Sequence, residues 1–167
     1  LDDVATARQV YGELQVQLEK AAQANMRCIV LGDFNDVPVE DLVFAKHSRI
    51  HSTSPFLENF GIIDLLQKKN MCDTFRTKFP TGPHGYTCQR HKKHIPSRID
   101  QIWISAGPDQ HWQRSMRPEG RGTASIDHGK LFCKGGNHYA AAASLPFETI
   151  FGFTSRRIRT NSRKVTM

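Results

Sequence analysis

Two polar side chains follow an apolar run in the segment IVLGDFND, which covers residues 29–36. Asp33 and Asn35 stand two positions apart, and in an extended chain such residues project to the same side. A carboxylate can bind a hard cation or take a proton from water, and an amide can donate a hydrogen bond to a phosphate oxygen. The same residue types also close turns, because Asn and Asp bond to their own backbone. The segment alone therefore leaves open a turn or one wall of a metal-dependent site that cleaves phosphate esters.

A second carboxylate lies in an apolar context further along the chain. In SRIDQIWIS, Asp100 is flanked by Ile99 and Ile102, and a lone carboxylate in such a strand is costly unless it is paired. Asp100 could face the surface or pair with Arg98. Alternatively, it could accept a hydrogen bond from a histidine and so fix the tautomer and orientation of that imidazole.

One candidate for that histidine is in the segment SIDHGKLF. Asp127 and His128 are adjacent there, and His128 is one of eight histidines. In a strand the two side chains would face opposite ways, so both can serve one site only if the chain bends. An exposed, solvated Asp-His pair is the alternative interpretation.

Hydrophobic periodicity predicts a layered α/β arrangement. Apolar residues recur every three to four positions over residues 2–24, which predicts an amphipathic helix. The short apolar run at residues 28–31 predicts a strand buried on both faces. Residues 99–105 and 131–133 predict two further strands, and residues 38–44 predict a short helix that begins at a proline. A helix that leads into a buried strand is typical of α/β folds.

The chain has 167 residues and a net charge of +7. This length suits one domain, which we place at residues 1–150, and residues 151–167 form a basic tail that we expect to be disordered. The charge favours a polyanionic partner without identifying one.

Several classes of protein are disfavoured by motifs that the sequence lacks. The four cysteines show no zinc-site spacing, so we expect reduced thiols. There is no P-loop, no apolar run long enough to span a bilayer and no signal segment at the start of the sequence. We expect a soluble, intracellular protein, with the nucleus among its compartments.

Three separated motifs, Gly-Asp-x-Asn, Ser-Arg-Ile-Asp-x-x-x-x-Ser and Ser-x-Asp-His, occur in this order in the sequence. Together they resemble the C-terminal half of the endonuclease/exonuclease/phosphatase superfamily, over about residues 4–133. That superfamily includes AP endonucleases, deoxyribonuclease I, the endonucleases of non-LTR retrotransposons and inositol-phosphate phosphatases.

The resemblance implies a role for each matching residue. Asp33 would orient or deprotonate the attacking water, and Asn35 would hold the phosphate in the transition state. Asp100 would orient His128, which would contact the scissile phosphate. Asp127, together with Asp33, would contribute to a metal site for Mg²⁺ or Mn²⁺.

The resemblance also implies a DNase I-like fold, a four-layer α/β sandwich of two similar halves. Here we expect one half, a mixed β-sheet with flanking helices, with the N-terminal half missing. In the superfamily that first half supplies an Asn and the main metal-binding Glu, which have no counterpart in this sequence. We therefore expect the 167-residue chain to show no nuclease activity alone.

A basic segment leads directly into the Asp100 strand. It carries Arg90, Lys92, Lys93 and Arg98, which could bind nucleic-acid phosphates irrespective of sequence or could form a solvated face. We expect DNA as the partner and a metal-dependent endonuclease of the retroelement type as the function. A small-molecule phosphatase acting on inositol or lipid head groups and an inactive nucleic-acid-binding remnant are the alternatives.

Overall fold

A computed structural model describes residues 3–34, 37–38, 41, 61–82, 84–88, 97–106, 110–131 and 138–146. Four helices and five strands have bounds that the structure describes. In chain order they are α1 (Asp3–Gln23), β1 (Ile29–Asp33), α2 (Ile62–Lys68), β2 (Met71–Asp73), α3 (Thr74–Lys78), β3 (Asp100–Ser105), α4 (His111–Met116), β4 (Thr123–Leu131) and β5 (Tyr139–Ser144). The helix predicted for residues 2–24 and the strand predicted for residues 99–105 are confirmed.

The helix α1 ends in a left-handed turn. Asn25 has a φ of 54°, a conformation that Asn tolerates better than most side chains. The Asn25 amide donates to the carbonyl of Ala22, and the Met26 amide donates to that of Ala21. These two bonds satisfy carbonyl groups that the last turn would otherwise leave unpaired, and they direct the chain toward β1.

In the part of the chain that the structure describes, no helix combines the length and the apolar character needed to cross a membrane.

The strands form two sheets. β3 lies at the centre of a three-stranded sheet with the order β1-β3-β2, and β4 pairs with β5 in a second sheet. All of these pairings are antiparallel. The expected mixed sheet is therefore wrong for the described strands, although the combination of helices and sheets agrees with an α/β fold.

Each face of the three-stranded sheet has its own apolar cluster. On one face, Trp103 of β3 packs with Leu18 of α1 and with apolar residues of α2. On the other face, Ile104 of β3 packs with Trp112 of α4 and Ala124 of β4. The central strand β3 is thus buried on both faces.

The burial predicted for β1 is wrong. Ile29 and Leu31 are 51% and 69% exposed, respectively, whereas Val30 on the opposite face packs against the cluster around Trp103. Among the described strands β1 lies at the edge of its sheet, and its second face is left exposed there. An apolar run in sequence does not distinguish a strand covered on both sides from one covered on a single side.

The strand predicted for residues 131–133 lies outside the described residues, apart from Leu131, which is the last residue of β4. The last described strand, β5, was not predicted from the sequence. The sequence YAAAAS of β5 is rich in alanine, which has little intrinsic preference for strands, so it gave no clear signal. The helix predicted for residues 38–44 and the tail at residues 151–167 lie outside the described residues, apart from Pro38 and Asp41.

The three cysteines that the structure describes are free thiols. Cys88 is buried, whereas Cys28 and Cys72 are half-buried. Burial raises the pKa of Cys72 to about 11, so this thiol is protonated and unreactive at neutral pH. The expectation of reduced thiols agrees with these three residues.

A network of buried charges lies directly before β3. The Arg98 guanidinium donates from Nε to Asp41 Oδ2 at 2.7 Å and from Nη2 to the Asp73 carboxylate. Arg76 donates to the other carboxylate oxygen of Asp41. The side chains of Arg98 and Asp41 are each 1% exposed, so solvent does little to screen these charges. The Phe75 ring packs beneath both guanidinium groups, at 5.2 Å from Arg76 and 5.5 Å from Arg98.

The network predicts that Arg98 is essential for stability. Arg98→Met should lower the free energy of unfolding by about 3–5 kcal/mol, because it leaves Asp73 buried without its guanidinium partner. The matched change Arg121→Met, at an exposed arginine, should stay within about 0.5 kcal/mol. Urea unfolding of both variants measures the difference, and equal losses would contradict the role given to the network.

Candidate metal centre

The pairing of β1 with β3 brings two carboxylates together. In the register of this antiparallel pair, Asp33 is opposite Asp100, and directly opposed residues point to the same face. The ladder continues one residue further, because the Phe34 amide donates to the Ile99 carbonyl at 2.9 Å. Like charges in opposed positions destabilise a sheet, so this arrangement favours a cation beside the two aspartates.

A histidine completes the cluster. His138 Nδ1 lies 2.9 Å from Asp100 Oδ2, and the two side chains are 28% and 24% exposed. An ionised carboxylate can only accept, so a neutral His138 makes this bond by donating from Nδ1–H. The remaining nitrogen, Nε2, then carries a lone pair and can accept a proton or bind a metal.

Backbone bonds hold His138 beside the end of the β1 and β3 ladder. Cys88 forms isolated antiparallel bridges with Ser97 on one side and with His138 on the other. Ser97 leads through Arg98 and Ile99 to Asp100. The segment around Cys88 therefore lies between the strand that carries Asp100 and the strand that begins after His138.

Asp33, Asp100 and His138 fit a divalent cation. One ligand atom from each lies within 4.8 Å of the others. Mg²⁺ binds carboxylate oxygens and keeps several waters, while an imidazole in the set is also compatible with Mn²⁺. The hydrogen bond between His138 and Asp100 forms without a metal ion. This pair can therefore hold the imidazole proton on Nδ1 whether or not a cation is bound.

The cluster lies at a cavity of about 350 Å³. Leu31 and Ile102 form part of its apolar wall, together with the first alanines of β5, and the three ionisable side chains line the same space. A reacting group held by Asp33, Asp100 and His138 would therefore be open to solvent on one side and flanked by apolar side chains on the other.

The structure brings together two of the residues singled out from the sequence, Asp33 and Asp100. It adds His138, which sequence reasoning missed. The segment GGNHYAAAAS gave little indication, because its alanine run does not predict the strand that follows the histidine. The one signal in the sequence was a polar residue next to an apolar segment, since His138 precedes Tyr139 and four alanines.

The other predicted site residues are not among the three that form this cluster. Asp127 is exposed and lies opposite Ala140 in the β4 and β5 pair. His128 belongs to β4, where the register becomes irregular after Asp127, but its side chain lies outside the described residues, as does all of Asn35. The roles assigned to these three residues therefore stay predictions, while the described histidine partner of Asp100 is His138.

The predicted basic surface needs one correction. Arg98 is 1% exposed, and both Asp41 and Asp73 accept hydrogen bonds from its guanidinium group, so it cannot reach a nucleic-acid phosphate. Nor does it pair with Asp100, as one interpretation of the sequence proposed. Arg90, Lys92 and Lys93 lie outside the described residues.

Two carboxylates and a histidine at one cavity can hold a divalent cation and can accept or donate a proton. The family model described as Endonuclease/Exonuclease/phosphatase family matches residues 1–125 of the 167. The chain belongs to this family, which indicates metal-dependent hydrolysis of phosphodiesters or phosphate esters. No curated protein and no solved structure matches the chain.

The cluster predicts that a divalent cation stabilises the folded protein. Mn²⁺ should raise the melting temperature of the wild type, and Asp33→Asn should abolish most of that rise because it removes one carboxylate ligand. The control Asp64→Asn removes an exposed carboxylate from α2, where Asp64 pairs with Lys68, and should leave the rise intact. Thermal unfolding with Mn²⁺ or with EDTA makes the comparison, and an Mn²⁺ response that survives Asp33→Asn would show that the ion binds elsewhere.

Proposed function

We propose that this chain carries the catalytic residues of a metal-dependent phosphodiesterase acting on DNA, of the kind found in retroelement endonucleases. The observation that carries the proposal is the cluster of Asp33, Asp100 and His138 at one cavity. Membership of the family supports phosphoester hydrolysis, and the positive charge of the chain supports a polyanionic substrate.

Each side chain has a chemical task in this proposal. Asp33 takes a proton from the water whose oxygen attacks phosphorus. The bond between phosphorus and the leaving sugar oxygen breaks, and that oxygen takes a proton from water. Asp100 holds the His138 ring through Nδ1, so that Nε2 faces the phosphate and stabilises its developing charge. The amide of Asn35 would donate to a phosphate oxygen. Asp33 and Asp100, with His138 beside them, would hold Mg²⁺ or Mn²⁺, which would further neutralise negative charge.

The exposed side of β1 supports a larger architecture. Ile29 and Leu31 present apolar surface on the face of the sheet that also carries Asp33. We infer that another layer of a DNase I-like, four-layer sandwich packs on this face in the complete enzyme. The resemblance in sequence implies that such a layer would also bring the additional Asn and metal-binding Glu to the site.

The residues that flank the basic segment support DNA as the substrate. Residues 89–96 connect Cys88 to Ser97, and the amide of each of these two residues donates to the carbonyl of the other at 2.9 Å. Because Cys88 also bridges to His138, Cys88 and Ser97, which flank Arg90, Lys92 and Lys93 in the sequence, lie close to the proposed catalytic histidine. Cations placed there would attract the backbone of a nucleic acid toward the cavity.

Cleavage of DNA tests the proposal. Supercoiled plasmid should be nicked with Mg²⁺ or Mn²⁺ by a polypeptide that joins this chain to the N-terminal half of a sandwich of the same family. Asp33→Ala and His138→Ala should each lower the rate at least about 100-fold, since each removes a group that acts in the transition state. The 167-residue chain alone should bind plasmid without nicking it.

The same assay distinguishes the proposed function from the two alternatives. Hydrolysis of a soluble phosphomonoester without plasmid nicking would indicate a small-molecule phosphatase instead. Salt-sensitive DNA binding that Asp33→Ala and His138→Ala leave unchanged, with no cleavage of either substrate, would indicate an inactive remnant.

Neutralising the basic segment should weaken DNA binding by the 167-residue chain. Replacement of Arg90, Lys92 and Lys93 by alanine should reduce the affinity and make its dependence on salt shallower, because fewer counterions are released from the DNA. A control with the same change of charge replaces the exposed residues Lys20, Lys68 and Arg121. Titration of labelled duplex DNA at several salt concentrations measures both effects, and equal losses in the two triple variants would rule out a specific role for the segment.

A further inference from the structure

We propose that Thr87 is a positioning residue that fixes the distance between Asp100 and His138. This inference rests on the proposed function, because it concerns how the same site is assembled. Thr87 is fully buried, with an exposed fraction of 0%. Its hydroxyl and its carbonyl bond to the two chain segments that supply the catalytic pair.

The side chain of Thr87 holds the strand that carries Asp100. Its hydroxyl oxygen accepts from the Asp100 amide at 2.9 Å and from the Ile99 amide at 3.1 Å. Two donors thus converge on one oxygen, which has two lone pairs to accept them. The hydroxyl fixes the backbone at the first residue of β3, directly beneath the carboxylate that binds His138.

The backbone of Thr87 holds the strand that follows His138. Its carbonyl accepts from the Tyr139 amide at 2.6 Å, and the next residue, Cys88, bridges to His138. The preceding residue contributes as well, because the rings of Tyr86 and Tyr139 meet edge to face with their centroids 5.6 Å apart. Thr87 therefore contacts the chain immediately next to both members of the pair.

The effect of the Thr87 hydroxyl can be separated from the effect of burying a side chain of this shape. Valine has the shape of threonine without the oxygen, so Thr87→Val would leave the Ile99 and Asp100 amides without their acceptor while the Tyr139 contact stays in place. Asp100 could then move relative to His138. Groups that orient a metal-site or catalytic histidine in this way commonly affect function although they touch neither substrate nor ion.

Thr74 offers a matched control. It is 2% exposed, and its hydroxyl donates to the carbonyl of Ile102 at 3.0 Å. Both threonines therefore bond to the backbone of β3 or the residue before it, but Thr74 does so away from Asp100. Thr74→Val removes a buried hydroxyl bond without loosening the catalytic pair.

The test uses the chain labelled with ¹⁵N at histidine and held at one alkaline pH, with His138 assigned by comparison with His138→Gln. In the wild type the ring shifts should report a proton fixed on Nδ1. Thr87→Val should give a mixture of tautomers and about a tenfold loss of Mn²⁺ affinity, measured from the electron paramagnetic resonance signal of free Mn²⁺. Thr87→Ser, which keeps the hydroxyl, and Thr74→Val should retain both wild-type properties.

Two results would overturn the proposal: wild-type ring shifts and Mn²⁺ affinity in Thr87→Val, or an equally large change in Thr74→Val. If Thr87→Val does not fold, Thr87→Cys takes its place, because sulfur is only a weak acceptor. Thr87→Cys should then shift the tautomer in the same direction but by less. Ring shifts in Thr87→Cys equal to those of the wild type would contradict the role of Thr87. Asp100→Asn separates this inference from the function. If Asp100→Asn changes the ring shifts and the Mn²⁺ affinity while the Thr87 variants change neither, only the role of Thr87 is wrong. If Asp100→Asn also changes neither property, the proposed site and the role of Thr87 are both wrong.

Discussion

The register between β1 and β3 is the constraint on which the candidate site depends. It sets Asp33 opposite Asp100, and a slip of one residue would turn one of the two carboxylates to the opposite face of the sheet. The register is fixed by burial, because Val30 must join the apolar cluster around Trp103 while Asp33 stays exposed. The repulsion between two opposed carboxylates is thus a local cost that packing elsewhere along the same strands overcomes.

The residues before β3 show how the fold holds that register at the functional end. Arg98 is anchored by two buried carboxylates, and the amides of Ile99 and Asp100 are bound by Thr87. Three consecutive residues, the last of which begins β3, are therefore fixed by different parts of the chain. Rigid support of this kind suits a site in which a carboxylate must orient an imidazole, because small displacements weaken such hydrogen bonds steeply.

The sequence alone predicted the helix α1, the strand positions of Asp33 and Asp100, and the family. These succeeded because their signals are local: apolar periodicity, and polar residues at fixed spacing beside short apolar runs. It could not separate His138 from the seven other histidines, because the choice depends on the bridges between Cys88, Ser97 and His138. Arg98 was misjudged for a similar reason. A basic residue within a basic segment resembles a surface charge until its partners, Asp41 and Asp73, are known to converge on it from distant parts of the chain.

The uncovered side of β1 has a consequence for handling the protein. Among the strands that the structure describes, β1 lies at the margin of its sheet, and Leu31 is 69% exposed. Apolar surface on an edge strand is a usual starting point for intermolecular β-pairing and aggregation. Long-range repulsion between chains that each carry a net charge of +7 opposes that pairing. Because added salt screens this repulsion, the protein should remain dispersed best in dilute buffers of low ionic strength.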